Sequence, residues 1–304
     1  MISRSAIRRA FRLGVLWLGI VLCMVAVWRI APRLEFELRR LHGADIACVA
    51  AMAVCAWLLS VAGWRAVVSG YFRRRLPWAE AVSQSGLLLV GKYVPGGVFG
   101  LVARATQSGK GETFSGHVGA GVYEQAASLW AMAASGAVVF AAAMSHPAFF
   151  SALPAVPFLG FGLAAVSMVA GHRLVPERWK DVSLVPVAGR RSLLAAHAMF
   201  GVSSIFWIAL VSFLVVRVYG LELLPAAGVG GAFALAVTAG MMAVFVPGGI
   251  LVRESVFAVL ASRWLAYDDA VLLAASMRIV TTLIDMLAGF AAMLLPARVR
   301  SDVA

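Results

Sequence analysis

Long stretches without Asp, Glu, Lys or Arg divide this chain into apolar segments of membrane length. A helix rises about 1.5 Å per residue, so roughly 20 apolar residues cross a hydrocarbon core about 30 Å thick. Uncharged windows run over 13–28, 46–64, 125–172, 192–216 and 223–252. The 48-residue window holds two predicted spans, because Ser145, His146 and Pro147 interrupt its middle.

The apolar windows predict six full transmembrane helices, near 13–31, 45–68, 117–143, 149–170, 192–216 and 270–296. Two further apolar segments, 79–103 and 226–250, each contain Pro-Gly-Gly near the far end, where a regular helix is hard to continue. We predict re-entrant or broken helices there, since irregular backbone at membrane depth is tolerated where protein or a polar cavity surrounds it. The predicted fold class is an all-α polytopic membrane protein, with one integral membrane domain over 1–304.

The two broken segments share the sequence Val-Pro-Gly-Gly, at 94–97 and again at 246–249. The second copy follows the first by 152 positions, half of the 304-residue chain. The first segment is predicted to enter the membrane from the cytoplasm and the second from outside. Transporter folds often place the substrate site where two such halves meet. We therefore predict an inverted repeat with halves of about 1–150 and 151–304. The predicted helix breaks are Pro95, Gly96, Gly97, Pro247, Gly248 and Gly249.

Composition supports the membrane class and excludes a soluble globular protein. Hydrophobic residues make up 62% of the chain and charged residues 13%, against roughly 45–50% and about 25% in soluble domains. The 26 Lys and Arg exceed the 14 Asp and Glu. In so apolar a chain this excess indicates cytoplasmic loops against anionic lipid rather than nucleic-acid binding. The loop charges predict that both termini lie in the cytoplasm, and the loop 32–43 is the weakest point of this topology.

Charged residues inside the apolar segments are the candidate functional residues, because each costs about 2.5–3.5 kcal/mol at a helix centre. Arg278 and Asp285 are seven residues apart, about two helical turns, and are predicted to share an inward face. Broken helix ends and nearby cations bind phosphate well. Either these charges bind an anionic lipid head group, or they pair with one another to hold the bundle together or snorkel to the interface. The predicted head-group residues are Lys92, Tyr93, Arg104, Arg253 and Arg278, and the predicted counter-charges are Glu124, Glu254 and Asp285.

Other chemical signatures are weak. The histidines show no His-Glu-x-x-His spacing, and Gly109-Lys110-Gly111 lacks the Ser or Thr that a P-loop needs after its lysine. The sequence offers no nucleophile and base at a recognisable spacing. We therefore expect no enzyme activity, no metal and no cofactor.

The motif around the first break resembles a known membrane family. Residues 91–104 read Gly-Lys-Tyr-Val-Pro-Gly-Gly-Val-Phe-Gly-Leu-Val-Ala-Arg, and residues 246–254 read Val-Pro-Gly-Gly-Ile-Leu-Val-Arg-Glu. Both are similar to signatures of the flippase-like transmembrane domain of lysylphosphatidylglycerol synthases, found in the multiple peptide resistance factor and in stand-alone proteins. The spacing of the two signatures also matches, so the resemblance covers nearly the whole chain.

The resemblance implies a helical bundle with re-entrant segments that moves a phospholipid or lipid-linked substrate between leaflets, and it implies a location in the bacterial inner membrane. The family often has Glu-Arg followed by an Asp in the third-helix region, whereas this chain has Glu124, Gln125 and Ser128. That difference bears on the substrate more than on the fold. Because no segment after Leu295 is long enough for the soluble aminoacyl-transferase domain, lipid aminoacylation is not expected.

These observations lead to three functional hypotheses. The first is a lipid translocase for an anionic phospholipid or lipid-linked intermediate, with membrane lipids as partners and no nucleic acid. The second is a non-transporting membrane subunit that presents lipid to a modifying enzyme such as a glycosyltransferase. The third is a secondary transporter of a small soluble anion.

Overall fold

A computed structural model describes residues 40–91, 99–107, 112–144, 190–243 and 252–294, and these residues form eight α-helices and no strands. We number the helices in chain order. They are α1 (Gly43–Phe72), α2 (Trp78–Gly91), α3 (Phe99–Ala105), α4 (Phe114–Ala143), α5 (Arg190–Tyr219), α6 (Leu223–Met242), α7 (Val252–Ala261) and α8 (Tyr267–Leu294).

Local sequence signals set several helix ends. The backbone N–H of His42 donates to the Asp45 carboxylate (2.9 Å) at the start of α1, and Arg73 closes that helix in the left-handed region at φ 53°. The Thr113 hydroxyl accepts from the Gly116 N–H at the start of α4 (3.1 Å). Gly220, at φ 68°, ends α5. These caps satisfy backbone groups that a helix end leaves without partners.

Four of the predicted spanning helices are confirmed within the described residues, as α1, α4, α5 and α8. The predicted helices 13–31 and 149–170, and both Pro-Gly-Gly motifs, lie outside the described residues. The predicted total of six crossings is not confirmed. Five described helices are long and apolar enough to cross a membrane, and one of them is α6, in a segment predicted to be broken.

The first predicted broken segment, 79–103, covers most of α2 and α3, whereas the second, 226–250, covers most of α6 and stops short of α7, which begins at Val252. Small residues bring α2 close to α3 and α6 close to α7. A Cβ at Gly91 would lie 2.2 Å from the Gly100 Cα, and a Cβ at Gly240 would lie 2.8 Å from the Arg253 Cβ. We call α2–α3 the first hairpin and α6–α7 the second hairpin.

Helices α1 and α5 pack against each other in antiparallel directions. The Arg217 Nε lies 2.9 Å from the Asp45 carboxylate near one end of the pair. The Ser60 and Ser203 hydroxyls are 3.0 Å apart farther along. Residue numbers therefore rise along α1 as they fall along α5, and Phe72 and Arg191 lie towards the same end of the pair.

The order of the helices in α1–α4, and part of their packing, is repeated in α5–α8. A helix of 30 residues, a hairpin and a second helix of 30 residues make up α1–α4, and helices of 30 and 28 residues flank the second hairpin in α5–α8. Helix α4 packs against α6, while α8 packs against α2. If α1–α4 are exchanged with α5–α8, the α4–α6 contact becomes the α8–α2 contact, and the α1–α5 contact stays the same. In these contacts the described residues of each half hold the first hairpin helix of the other half, whereas the α4–α5 and α1–α4 contacts have no counterpart of similar extent.

Candidate functional site

Each half has an ion pair between the second hairpin helix and the long helix that follows it. In the first half Arg104 of α3 pairs with Glu124 of α4, and in the second Glu254 of α7 pairs with Arg278 of α8. Glu124 follows the first residue of α4 by ten positions, and Arg278 follows that of α8 by eleven. The two pairs therefore occupy corresponding places with opposite polarity.

The pair in the first half is closed to solvent. The Arg104 guanidinium donates from both Nη atoms to Glu124, with Nη2 3.3 Å from Oε1, and side-chain exposures are 1% and 7%. Its Cζ lies 3.5 Å from the centre of the Trp64 ring on α1. Two hydrogen bonds and a cation–π contact compensate the cost of burying these charges. The geometry supports the alternative hypothesis for Arg104, in which it pairs with an acid to hold the bundle together.

A polar chain continues from this pair towards the α1–α2 connection. The Trp64 Nε1 donates to the Gln84 Oε1 (2.8 Å), and the Gln84 Nε2 donates to the Glu80 Oε1 (3.4 Å). Arg74 then donates to Glu80 (2.7 Å) and to Glu112 (2.9 Å). These hydrogen bonds join α1, the first half of α2 and Glu112, just before α4.

The pair in the second half is more open. The Arg278 Nη1 lies 3.8 Å from the Glu254 Oε1, and about a quarter of each side chain is exposed. Arg253 precedes Glu254 on α7, and its Cζ lies 4.8 Å from the centre of the Phe233 ring. At this distance the Arg278–Glu254 contact is electrostatic without a short hydrogen bond. The contact with Glu254 therefore holds Arg278 less tightly than Glu124 holds Arg104.

The structure pairs two of the predicted residues in the second half, Glu254 and Arg278, while Arg253, next to Glu254 in sequence, lies against Phe233 of α6. Asp285 is buried on α8, two turns beyond Arg278, as the predicted inward face requires. Arg104 and Glu124 form the separate buried pair of the first half. Lys92 and Tyr93 lie outside the described residues, so their predicted roles stay predictions.

Sequence reasoning missed the polar chain beyond Arg104. Glu80, Glu112 and His117 lie at or beyond the ends of the apolar segments, and Gln84 carries no charge. A search for charged residues inside apolar segments therefore does not find them. The spacing of Glu80 and Gln84, four apart on one helix, was a usable signal. His117 carries no local motif, and only the fold places it beside Glu112.

Comparisons of this chain with protein-family models, with curated proteins and with solved structures find no match. Within the described residues, no group of His, Cys, Asp and Glu side chains is arranged to hold a metal ion.

Proposed function

We propose that this protein is a flippase-like translocase that moves an anionic phospholipid or lipid-linked intermediate between the leaflets of the bacterial inner membrane. The observation that carries the proposal is the open Arg278–Glu254 pair beside Arg253, at a junction whose counterpart in the other half is closed. The resemblance of the two Pro-Gly-Gly motifs to the flippase-like family points the same way.

The antiparallel contact between α1 and α5 supports inverted halves. These two helices begin their respective halves, and both are long and apolar enough to span. If corresponding helices cross in opposite directions, the halves have opposite orientations in the membrane, as in many alternating-access transporters. In this arrangement a lipid from either leaflet would reach the centre of the protein by a similar route, in opposite directions.

The register between α4 and α6 supports a re-entrant second hairpin. A Cβ at Gly228 would lie 2.7 Å from the Ala143 Cβ, and one at Gly136 would lie 3.1 Å from the Leu235 N. The same register places Met242, seven residues beyond Leu235, opposite residue 129 near the middle of α4. Helix α6 thus has the length to span but ends partway along its neighbour.

The head-group site of the proposal is formed by Arg253 and Arg278, with Glu254 as the counter-charge. A phosphate accepts charge-assisted hydrogen bonds from guanidinium groups and displaces the longer contact to Glu254. Glu254 offsets part of the positive charge of the site when no lipid is bound. Arg104 is proposed to stabilise the first hairpin rather than to contact lipid.

The orientation in the membrane follows from the basic clusters. Arg73, Arg74 and Arg75 follow α1, while Arg190 and Arg191 begin α5, and the antiparallel packing brings these clusters to the same end of the pair. The positive-inside rule assigns that end to the cytoplasm. Cytoplasmic termini are part of the same proposal.

Lipid exchange in reconstituted vesicles tests the function. Vesicles with fluorescent phosphatidylglycerol in both leaflets are treated with an impermeant quencher, and slow loss of the protected signal reports movement between leaflets. The wild-type protein should accelerate this loss over empty vesicles, and Arg278→Ala should remove most of the acceleration. Arg263→Ala is the matched control, because Arg263 is an exposed arginine beyond the end of α7.

Two outcomes would contradict the proposal. If wild-type protein accelerates no anionic phospholipid or polyprenyl-phosphate lipid, translocation is ruled out. If it retains anionic lipid through purification without moving it, the non-transporting subunit that presents lipid to a partner enzyme replaces the translocase.

A further inference from the structure

The connection between α1 and α2 carries arginines that have no acidic partner. Arg65 lies on α1, two turns before its end, and Arg73 and Arg75 follow that helix. None of the three makes an ion pair within the part of the chain that the structure describes, whereas Arg74 pairs with two carboxylates. Arg73 and Arg75 are exposed and Arg65 is partly exposed. This end of the two helices therefore presents three positive charges to its surroundings.

The Arg65 side chain is held in a defined place. Its Nε donates to the Leu76 carbonyl oxygen (2.8 Å), and its Cζ lies 4.2 Å from the centre of the Trp78 ring. Neither Nη makes a hydrogen bond within the described residues. The two Nη groups of a guanidinium form a planar fork that matches the oxygens of a phosphate. Arg65 is thus oriented by protein contacts that leave its fork available.

The backbone of the connection is ordered by α1. The Ser69 hydroxyl donates to the Arg74 carbonyl oxygen (3.0 Å), and the Arg73 N–H donates to the Ser69 carbonyl oxygen (3.1 Å). The Leu76 side chain is buried. Because these contacts fix the connection in advance, binding of a ligand there costs less conformational entropy than binding to a flexible loop.

The length of α1 puts Arg65 at the edge of the hydrocarbon core. A helix of 30 residues is about 45 Å long, against a core of about 30 Å, so each end of a centred helix extends about 7 Å beyond the core. Arg65 precedes the last residue, Phe72, by seven positions, or about 10 Å. Its side chain reaches Leu76, beyond the helix end, and so brings the charge to the head-group level. Trp78, 48% exposed, is a residue type that membrane proteins concentrate at this level.

We propose that the α1–α2 connection binds one anionic phospholipid from the adjacent leaflet, which is the cytoplasmic one in the proposed orientation. The binding residues, together called the Arg65 site, are Arg65, Arg73, Arg75 and Trp78. The lipid phosphate accepts hydrogen bonds from the Arg65 fork, and the exposed indole lies against the glycerol region. A soluble phosphate would use the arginines and leave the indole without a role. The Arg65 site does not rest on the proposed translocation and shares no residue with the head-group site of the second half.

The charges of the Arg65 site favour an anionic lipid over a zwitterionic one. Both kinds carry a phosphate, but the ammonium of a zwitterionic head group would come close to Arg73 and Arg75, with no carboxylate to receive it. Each arginine near an anionic membrane surface contributes roughly a factor of five to binding. A lipid bound there would connect the last turns of α1 with Trp78, the first residue of the first hairpin.

Quenching of tryptophan fluorescence by brominated lipid tests the Arg65 site in nanodiscs. Two matched bilayers contain equal amounts of phosphatidylglycerol and phosphatidylcholine, with bromine on the chains of one lipid or of the other. The difference between wild type and Trp78→Phe isolates Trp78 among the nine tryptophans. We expect stronger quenching of Trp78 by brominated phosphatidylglycerol. Arg65→Gln, which keeps an N–H donor for the Leu76 carbonyl, should lower that preference about fivefold.

Arg263→Gln is the matched control, because it also removes one exposed arginine without an ion pair. The neighbouring Trp264 ring packs against Phe140, with 5.3 Å between ring centres. The preference measured at Trp78 should therefore be unchanged in this variant. Arg65→Lys keeps the charge and loses the planar fork, so it should also lower the preference.

Equal quenching of Trp78 by the two brominated lipids would overturn the Arg65 site, as would a preference that persists in Arg65→Gln. A wild-type preference in Arg65→Lys would show that charge alone attracts lipid and would remove the specific site. Loss of the preference in millimolar inorganic phosphate would assign the arginines to a soluble anion. A protein that shows the preference but moves no lipid keeps the Arg65 site and loses the translocase, and lipid exchange without the preference removes the Arg65 site alone.

Discussion

Gly136 of α4 and Gly289 of α8 occupy the same position in the two halves, and each faces the first hairpin helix of the other half. Gly136 follows Phe114 by 22 residues, and Gly289 follows Tyr267 by 22 residues. A Cβ at Gly136 would lie 3.0 Å from the Gly231 carbonyl oxygen, and one at Gly289 would lie 2.2 Å from a Val90 methyl carbon. The correspondence ties the repeat to backbone packing, because small residues let membrane helices approach closely.

Substitution of Gly136 should weaken the packing between the two halves and lower the stability of the protein. Gly136→Ala places a methyl against the Ala234 Cβ and the α6 backbone, which cannot yield as a long side chain would. We expect a loss of about 1–3 kcal/mol, the usual cost of overpacking, measured by unfolding in mixed detergent. Gly201→Ala is the control, because nothing lies within 4 Å of a Cβ there. It should be neutral or gain up to about 1 kcal/mol from helix propensity. Equal losses at both positions would argue against the close α4–α6 contact.

The antiparallel contact between α1 and α5 predicts a specific disulfide. The Ser60 and Ser203 hydroxyl oxygens are 3.0 Å apart, so Ser60→Cys with Ser203→Cys should cross-link under oxidation in a background without Cys23, Cys48 and Cys55. The measurement is the joining of two fragments after cleavage between the halves. Ser60→Cys with Ser212→Cys is the control, because Ser212 lies two and a half turns farther along α5 and faces Gly230 of α6. Cross-linking of the control pair alone would reverse the proposed register.

The long helices and the general class were predictable because a helix satisfies every backbone group of a long uncharged segment inside a membrane. The starts of α1 and α4 fall within a few residues of the predicted bounds, and His42 and Thr113 occupy their N-cap positions. The path of segment 226–250 was harder to predict. A helix that crosses the membrane and a helix of equal length that ends partway through it have the same composition, so no sequence pattern distinguishes them.

The site was only partly predictable from the sequence. The charges of Arg104, Glu124, Glu254 and Arg278 stand out inside apolar segments, and the fold does bring them together in pairs. Which pair is closed depends on Trp64 and Ser85, which come from other helices and carry no signal in the sequence. The partners of His117 likewise converge from the end of α1 and from the residues before α4.

Breaking the closed pair should cost more than removing it. Arg104→Met leaves Glu124 buried without its partner and should destabilise the protein by about 3–5 kcal/mol. The double variant Arg104→Met with Glu124→Leu removes both charges and should recover much of that loss. The measurement is a double-mutant cycle on unfolding free energies in mixed detergent. Additive losses would show that the two side chains do not act as a buried pair.

The open pair should show a different response, in lipid retention rather than in stability. Glu254→Gln removes the group that competes with a phosphate for Arg278, 3.8 Å away, so the purified protein should retain more anionic lipid. Because the head group then leaves more slowly, lipid exchange in vesicles should fall despite tighter binding. Arg278→Gln should lower both retention and exchange, and Arg263→Gln should change neither. Mass spectrometry of co-purified lipids gives the retention, and a Glu254→Gln protein that retains less anionic lipid than wild type would show that Glu254 does not compete for that site.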